Sequence, residues 1–166
     1  RALASVAQVS RQHVAVFIDG DQVGPTSFKP LLAALEGRDL EVISRRIYLD
    51  EHRAKAWEES LQRHGIQPVL VPRLSAGLKD PADLMMTLDA AEAALAADPP
   101  KIAIASCDVD FAILVDRLKR WGAKTIVMLP RLGVSSGRNL LAEAAEEVVH
   151  YSLEASVGTA RPVQSL

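Results

Sequence analysis

The chain has 166 residues, 49% of them hydrophobic and 24% charged, with a formal net charge of −2 at pH 7. This balance is typical of a single folded globular domain, and the one cysteine, Cys107, excludes an internal disulfide framework and a cysteine-rich zinc site. The apolar runs are far shorter than the roughly 20 residues of a membrane-spanning helix and no secretory signal opens the sequence, so we expect a cytoplasmic protein without a membrane partner.

Short runs rich in β-branched residues alternate with segments of helical periodicity along the chain. VAVFI (14–18) predicts a buried strand, and Pro25 then opens a helix that ends before Gly37. Asp80 and Pro81 form an N-cap and first-turn pair for a long alanine-rich helix. In chain order, the predicted strands are 14–18, 41–48, 68–71, 101–106 and 125–129. The predicted helices are 25–36, about 53–64, 81 to about 97, the end of the fourth strand to about 121, and about 138–147.

Five strand-and-helix repeats of this kind predict the α/β class, with a mainly parallel sheet of five or six strands and helices on both faces. VVHYS (148–152) either adds the sixth strand at an edge or ends the domain. The common strand order 3-2-1-4-5 makes the first and fourth strands neighbours. In such sheets, ligands bind beyond the carboxyl ends of the strands where the strand order reverses.

Several aspartates fall at that edge of the predicted sheet. Asp19 leaves the first strand, Asp108 and Asp110 follow the fourth, and Asp83 lies in the first turn of the helix after the third. Unpaired carboxylates brought close together repel one another, so such a cluster requires a compensating cation. Oxygen ligands without histidine or cysteine favour Mg²⁺ or Mn²⁺, and these ions serve phosphoryl chemistry.

Simpler roles compete with this interpretation. Asp83, Asp108 and Asp110 could each serve only as a favourable charge at a helix start. Asp89 lies about 120° around the helix from Asp83, which favours a surface charge. Asp19 closes a buried strand and has no helix terminus of its own, so it is the hardest of the set to explain without a ligand.

Two polar residues near these carboxylates have open roles. Ser106 precedes the acidic pair, where its hydroxyl could bond a carboxylate or a metal-bound water, or could cap the next helix. Lys79 lies just before the Asp83 helix in a glycine-containing loop, which suits a phosphate contact or a solvated charge. Arg45 and Arg46 are adjacent on a strand and so face opposite sides of the sheet, and only one of them can point into a groove.

Five segments of the chain together resemble the NYN domain, a branch of the PIN-like nucleases, over about residues 12–152. They are VFIDGDQ (16–22), RRIYLD (45–50), AWEESLQRHGIQPV (56–69), GLKDPADLMMTLDA (77–90) and IAIASCDVDFAILVDRLKRWGAKTIV (102–127). The resemblance implies a PIN-like Rossmannoid three-layer sandwich. It also implies a metal-dependent endoribonuclease that uses Mg²⁺ or Mn²⁺ and acts on single-stranded RNA.

Carried onto this sequence, the resemblance assigns roles to individual residues. The implied catalytic metal ligands are Asp19, Asp83, Asp108 and Asp110. The supporting residues that the resemblance implies are Gln22, Lys79 and Asp89. The residues themselves add Asp21 and Ser106 as candidate supporting residues, and the candidate RNA contacts are Lys79, Arg46 and Arg73. Two positions depart from the family pattern: Gln22 stands where asparagine is frequent, and Val109 stands where a small polar residue is common. Both departures put the level of activity in question.

The resemblance also bears on the ends of the chain and on partners. Residues 1–11 and 153–166 are predicted to be tails or linker, and many relatives carry an RNA-binding module downstream. Self-association into a homodimer is a further expectation, because many PIN-like domains self-associate.

Two other functions fit part of the pattern. In a haloacid-dehalogenase-like phosphatase, Asp19 would be the nucleophile and Asp21 the acid/base, although that family expects threonine or a similar residue where Gln22 stands. The other is a catalytically weak NYN protein that binds RNA without cleaving it.

Overall fold

The computed structural model describes residues 11–72, 81–131 and 138–153. Six strands and six helices lie within these ranges. In chain order they are β1 (Gln12–Asp19), α1 (Pro25–Glu36), β2 (Leu40–Leu49), α2 (Glu51–Ala56), α3 (Glu58–Arg63), β3 (Gln67–Leu70), α4 (Pro81–Ala94), β4 (Lys101–Ala105), α5 (Phe111–Arg120), β5 (Thr125–Pro130), α6 (Leu140–Ala144) and β6 (Glu147–Tyr151). The predicted tails, 1–11 and 153–166, lie almost wholly outside the described residues.

The six strands form one sheet in the order β3-β2-β1-β4-β5-β6, and every neighbouring pair is parallel. This confirms the predicted α/β class and the predicted order of the first five strands, and VVHYS supplies most of the sixth. The strand order reverses between β1 and β4. Asp19 pairs with Tyr48 of β2, and Ile18 pairs with Ala105 of β4, so Asp19 ends the central strand at that reversal.

Alternate residues of β1 face two separate cores. Val16 and Ile18 pack with α1 and α3 on one side of the sheet. Ala15 and Phe17 pack with α4, α5 and α6 on the other side. Because successive strand side chains point to opposite faces, the continuous apolar run of β1 is buried on both sides. The result is the expected three-layer sandwich.

The single helix predicted at about 53–64 was wrong. The chain forms two six-residue helices, α2 and α3, which meet at Trp57. The backbone there lies at φ −104° and ψ 5°, in the sparsely populated bridge region, and the indole packs edge-on against Phe28 of α1 at 6.3 Å. The first of the two helices begins at Glu51, earlier than predicted, because the Asp50 side chain accepts a hydrogen bond from the Arg53 N–H and caps it.

Two other helices are shorter than predicted. The long helix ends at Ala94, and the N–H groups of Leu95 and Ala96 close a tighter turn on carbonyls three residues earlier. The last helix, α6, spans only five residues. The Thr125 hydroxyl accepts a hydrogen bond from the Glu146 N–H, and β6 begins at the next residue.

No helix within the described ranges is long and apolar enough to cross a bilayer.

Phe28→Ala tests the core that carries α1. The ring is fully buried and contacts both Trp57 and His64 edge-on, so its loss should lower the free energy of unfolding by about 3–5 kcal/mol. Urea denaturation measures the change, with the exposed Glu36→Ala as the control, expected within about 0.5 kcal/mol of the wild type. Equal stability of the two variants would contradict the packing described above.

Candidate active site

The carboxylate of Asp19 is buried at the carboxyl end of β1, and the residue is only 4% exposed. One of its oxygens, Oδ2, accepts a hydrogen bond of 2.6 Å from the Ser106 hydroxyl. The other, Oδ1, accepts one of 2.9 Å from the Asp21 N–H. The strand register explains the hydrogen bond from Ser106. Ile18 of β1 lies beside Ala105 of β4, so the residues that follow them, Asp19 and Ser106, also lie side by side.

Burial raises the pKa of Asp19 above its usual value. The hydrogen bonds from Ser106 and from the Asp21 N–H oppose this shift, and the negative charge of Asp21 adds to it. Within the described part of the chain, no lysine, arginine or histidine pairs with this carboxylate. A charge at this depth with only neutral hydrogen-bond donors is destabilising.

The Ser106 hydroxyl joins two of the predicted ligands. It donates to Asp19 and accepts a hydrogen bond of 3.0 Å from the Asp108 N–H. Ser106 itself is 1% exposed. The sequence left open whether the Ser106 hydroxyl bonds a carboxylate, bonds a metal-bound water or caps a helix. In the structure it bonds the Asp19 carboxylate, and it also holds the turn that carries Asp108.

The turn after Ser106 presents Asp108 and Asp110 at the same edge of the sheet. Asp108 Oδ1 accepts a hydrogen bond of 2.9 Å from the Asp110 N–H, so this carboxylate shapes the turn. Asp110 is the N-cap residue of α5, but its side chain makes no capping hydrogen bond. The position of Asp110 at the start of α5 still allows the simpler role of a favourable charge at a helix start. Val109, between them, is 49% exposed.

The turn after Asp19 is pressed against β2. The Gly20 N–H donates a hydrogen bond of 3.0 Å to the Tyr48 carbonyl. A Cβ at position 20 would lie 2.4 Å from that carbonyl oxygen and 2.8 Å from Leu49 Cβ, which no side chain tolerates. The glycine thus allows the close approach that fixes the direction of the turn.

Arg53 of α2 holds the same turn in place, a role that was not predicted from the sequence. Its guanidinium donates to the Gly20 carbonyl at 2.8 Å and to Asp50 Oδ2 at 2.9 Å, and it forms an ion pair with Asp21. The only signal in the sequence was the spacing of three residues from Asp50, typical of a local helix pair. Asp21 therefore has a cationic partner, whereas Asp19 has none among the residues that the structure describes.

Asp89 lies in a separate polar group on β2 and α4. Its carboxylate accepts a hydrogen bond of 2.7 Å from the Tyr48 hydroxyl and one of 3.4 Å from Arg46. Burial, followed by the contact with Asp89, raises the pKa of the Tyr48 phenol. The sequence analysis missed Tyr48, because an aromatic residue in a buried strand predicts packing only.

The remaining predicted site residues are Asp83, Gln22, Lys79 and Arg73. Asp83 lies, partly buried, in the first turn of α4. Gln22 is exposed, and its N–H donates to the Asp19 carbonyl at 3.2 Å. Lys79 and Arg73 lie outside the described residues.

The donor chemistry of this edge fits a hard divalent cation. Asp19, Ser106 and Asp108 offer oxygen atoms, and the buried Asp19 charge has no cationic partner among the described residues. Burial and the Asp19 charge raise the pKa of the neighbouring Cys107 thiol, which keeps this soft ligand protonated. No three histidine, cysteine or acidic side chains within the described ranges are grouped as a complete metal site, so a full ligand set is not assembled here.

Comparisons with known proteins give a family and a fold. The family model for the NYN domain matches residues 13–152. No curated protein matches the chain. A solved structure of VPA0982 from Vibrio parahaemolyticus, a protein of unknown function, is 22% identical with a TM-score of 0.65, over 84% of this chain and 93% of that one.

A second similarity is much weaker. KijD10, a 3-ketoreductase from Actinomadura kijaniata, is 17% identical with a TM-score of 0.39, over 81% of this chain but 34% of that one. Such a likeness carries no argument about function, whereas the likeness to VPA0982 supports the fold.

Asp19→Asn should stabilise the metal-free protein at neutral pH. Because the folded-state pKa of Asp19 is raised, the folded protein binds more protons than the unfolded chain between the ordinary and the raised value, and stability falls as pH rises through that window. Asparagine does not ionise, so Asp19→Asn avoids this loss of stability. Its free energy of unfolding at pH 7 should exceed that of the wild type by roughly 0.5–2 kcal/mol.

Denaturation in EDTA at pH 7 and at pH 3.5 measures the effect, with the exposed Asp98→Asn as the matched control. The advantage of Asp19→Asn should shrink at the lower pH. An advantage that grows on acidification, or one equal to that of the control, would contradict the burial of a charged Asp19.

Proposed function

The chain belongs to the NYN domain family of PIN-like nucleases, and on that basis we propose that it is a metal-dependent endoribonuclease that hydrolyses phosphodiester bonds in single-stranded RNA. The observation that carries this proposal is the Asp19 carboxylate, buried without a cationic partner among the described residues and bonded to the Ser106 hydroxyl. Buried ionisable groups with perturbed pKa values cluster at functional sites, where a bound ligand can compensate the charge.

Asp19 and Asp108 are the proposed first pair of ligands for Mg²⁺ or Mn²⁺, since both are tied to Ser106. Asp83 and Asp110, each at the start of a helix on this edge, are the proposed others. A divalent ion bound there would activate a water molecule and stabilise charge on the phosphoryl oxygens.

The protein groups around that position have their own tasks. The Ser106 hydroxyl and the Asp21 N–H occupy one direction on each Asp19 oxygen and so fix the orientation of the carboxylate. Each carboxylate oxygen can accept more than one contact, so both keep capacity for a ligand. Gly20 and Arg53 hold the turn against β2 and α2, which limits the freedom of Asp19 before substrate arrives.

The phosphatase alternative has less support. It requires Asp21 to act as a free acid/base, whereas Asp21 forms an ion pair with Arg53. Among the proposed RNA contacts, Arg46 already pairs with Asp89, which should reduce its contribution to RNA binding.

Asp19→Asn and Asp108→Asn should each lower the rate of RNA cleavage by roughly 100-fold or more, because even residues that only support a metal ligand cost about 10- to 100-fold when removed. The measurement is cleavage of a labelled single-stranded RNA, beside a matched duplex, in Mg²⁺, Mn²⁺ or EDTA. Asp98→Asn should cleave like the wild type. Equal cleavage by wild type and Asp19→Asn would identify the activity as contamination and leave an RNA-binding protein without turnover.

Mn²⁺ should stabilise the wild type against unfolding by about 2.7 kcal/mol at a concentration 100 times its dissociation constant. Asp19→Asn should gain little, since it lacks the buried charge that the ion would compensate. Urea denaturation with and without Mn²⁺ gives both values. Equal stabilisation of the two proteins would place the ion elsewhere on the chain.

A further inference from the structure

A cavity of about 600 Å³ lies beyond the carboxyl end of β3, at the same edge of the sheet as Asp19. Its described lining comes from the end of that strand and from the start of α2, and consists of Glu51, His52, Leu70, Val71 and Pro72. Resting on the nuclease function proposed above, we infer that this cavity is a subsite for one base of the RNA strand that is cleaved at Asp19.

The chemistry of the described lining suits a base. The Glu51 carboxylate would repel a phosphate group placed against it. Leu70, which is 52% exposed, offers an apolar surface, and His52 offers an aromatic ring. Single-stranded RNA is recognised by this combination, because unstacked bases pack on apolar and aromatic side chains. The volume is also within the range of small-ligand sites.

The distance from the cavity to Asp19 matches a short stretch of RNA. Asp19 of β1 pairs with Tyr48 of β2, which pairs with Val69 of β3. Two interstrand spacings therefore separate the cavity from Asp19, roughly 10 Å in all. This is the length of about three stacked nucleotides at roughly 3.4 Å each, and of fewer in an extended strand.

Arg53 ties the cavity to the cleavage position. It directly follows Glu51 and His52 on α2, and its guanidinium contacts the Gly20 carbonyl and Asp21 in the turn after Asp19. The helix that lines the cavity is thus held to the loop that carries the proposed metal ligand. A base seated in the cavity would fix the register of the strand across Asp19.

Glu51 gives the subsite a base preference. A carboxylate accepts hydrogen bonds and donates none, so it pairs with the exocyclic amino group of a base, and cytosine and adenine each carry one. Uracil has no amino group and offers only its ring N3–H as a donor. The cavity should therefore favour cytosine or adenine over uracil.

The test measures binding of short single-stranded oligo(C), oligo(A) and oligo(U) by fluorescence anisotropy in EDTA, where no cleavage occurs. His52→Ala and Leu70→Ser should each weaken binding of oligo(C) by about tenfold. Both side chains are on the surface, so the variants should fold, and denaturation checks this. Glu51→Gln should reduce the difference between the dissociation constants of oligo(C) and oligo(U). His150→Ala is the matched control and should bind like the wild type. His150 is exposed on β6, the outermost strand on the side of the sheet away from β3.

Cleavage kinetics separate this inference from the nuclease proposal. His52→Ala should raise KM about tenfold with kcat within about twofold. Arg53→Lys keeps the positive charge but loses the planar guanidinium that contacts several groups at once. This variant should lower kcat, while its affinity for oligo(C) in EDTA stays within about twofold of the wild type. Metal-dependent cleavage that requires Asp19 but is unchanged by substitution of His52 and Leu70 would overturn the subsite and retain the nuclease proposal. Base binding that needs His52 and Leu70 without any cleavage would overturn the nuclease and retain the subsite.

Discussion

The hydrogen bond from the Ser106 hydroxyl to the buried carboxylate of Asp19 is the interaction around which this edge of the sheet is organised. It joins β1 to the segment that follows β4, and these two strands are neighbours because the strand order reverses between them. The same hydroxyl accepts the Asp108 N–H. One buried oxygen therefore positions two proposed ligands from segments that lie almost 90 residues apart in the sequence.

Two other carboxylates near Asp19 are paired with cations of the protein, whereas Asp19 has no such partner among the described residues. Asp21 pairs with Arg53, and Asp89 is bonded to Tyr48 and Arg46. Asp19 receives only neutral donors among the described residues, and burial raises its pKa. Arg53 holds the turn after Asp19 in place, and Arg46 pairs with Asp89. Among the described residues, the charge of Asp19 is therefore available to the divalent cation proposed above.

The class of fold was predictable from sequence, because a buried strand and a helical stripe have different apolar periods. The order of the first five strands is the common one for such a sheet, and the family was predicted from the resemblance of five segments to the NYN domain. The location of Asp19, Asp108 and Asp83 at one edge followed from that order. What the sequence concealed depends on long-range contacts. The break at Trp57 arises where its ring meets Phe28, and the clamp by Arg53 requires α2 to lie against the turn after β1. Neither leaves a periodic trace in the chain.

We propose that Asp19 and Asp108 hold a divalent cation at the carboxyl edge of the sheet. Crystals of the protein soaked in Mn²⁺ and measured at the manganese absorption edge test this proposal, because the anomalous signal locates the ion without reference to activity. We expect a peak within ordinary metal-to-oxygen distance, about 2.0–2.2 Å, of carboxylate oxygens from both residues. A well-occupied peak elsewhere on the chain, with none beside Asp19, would contradict it.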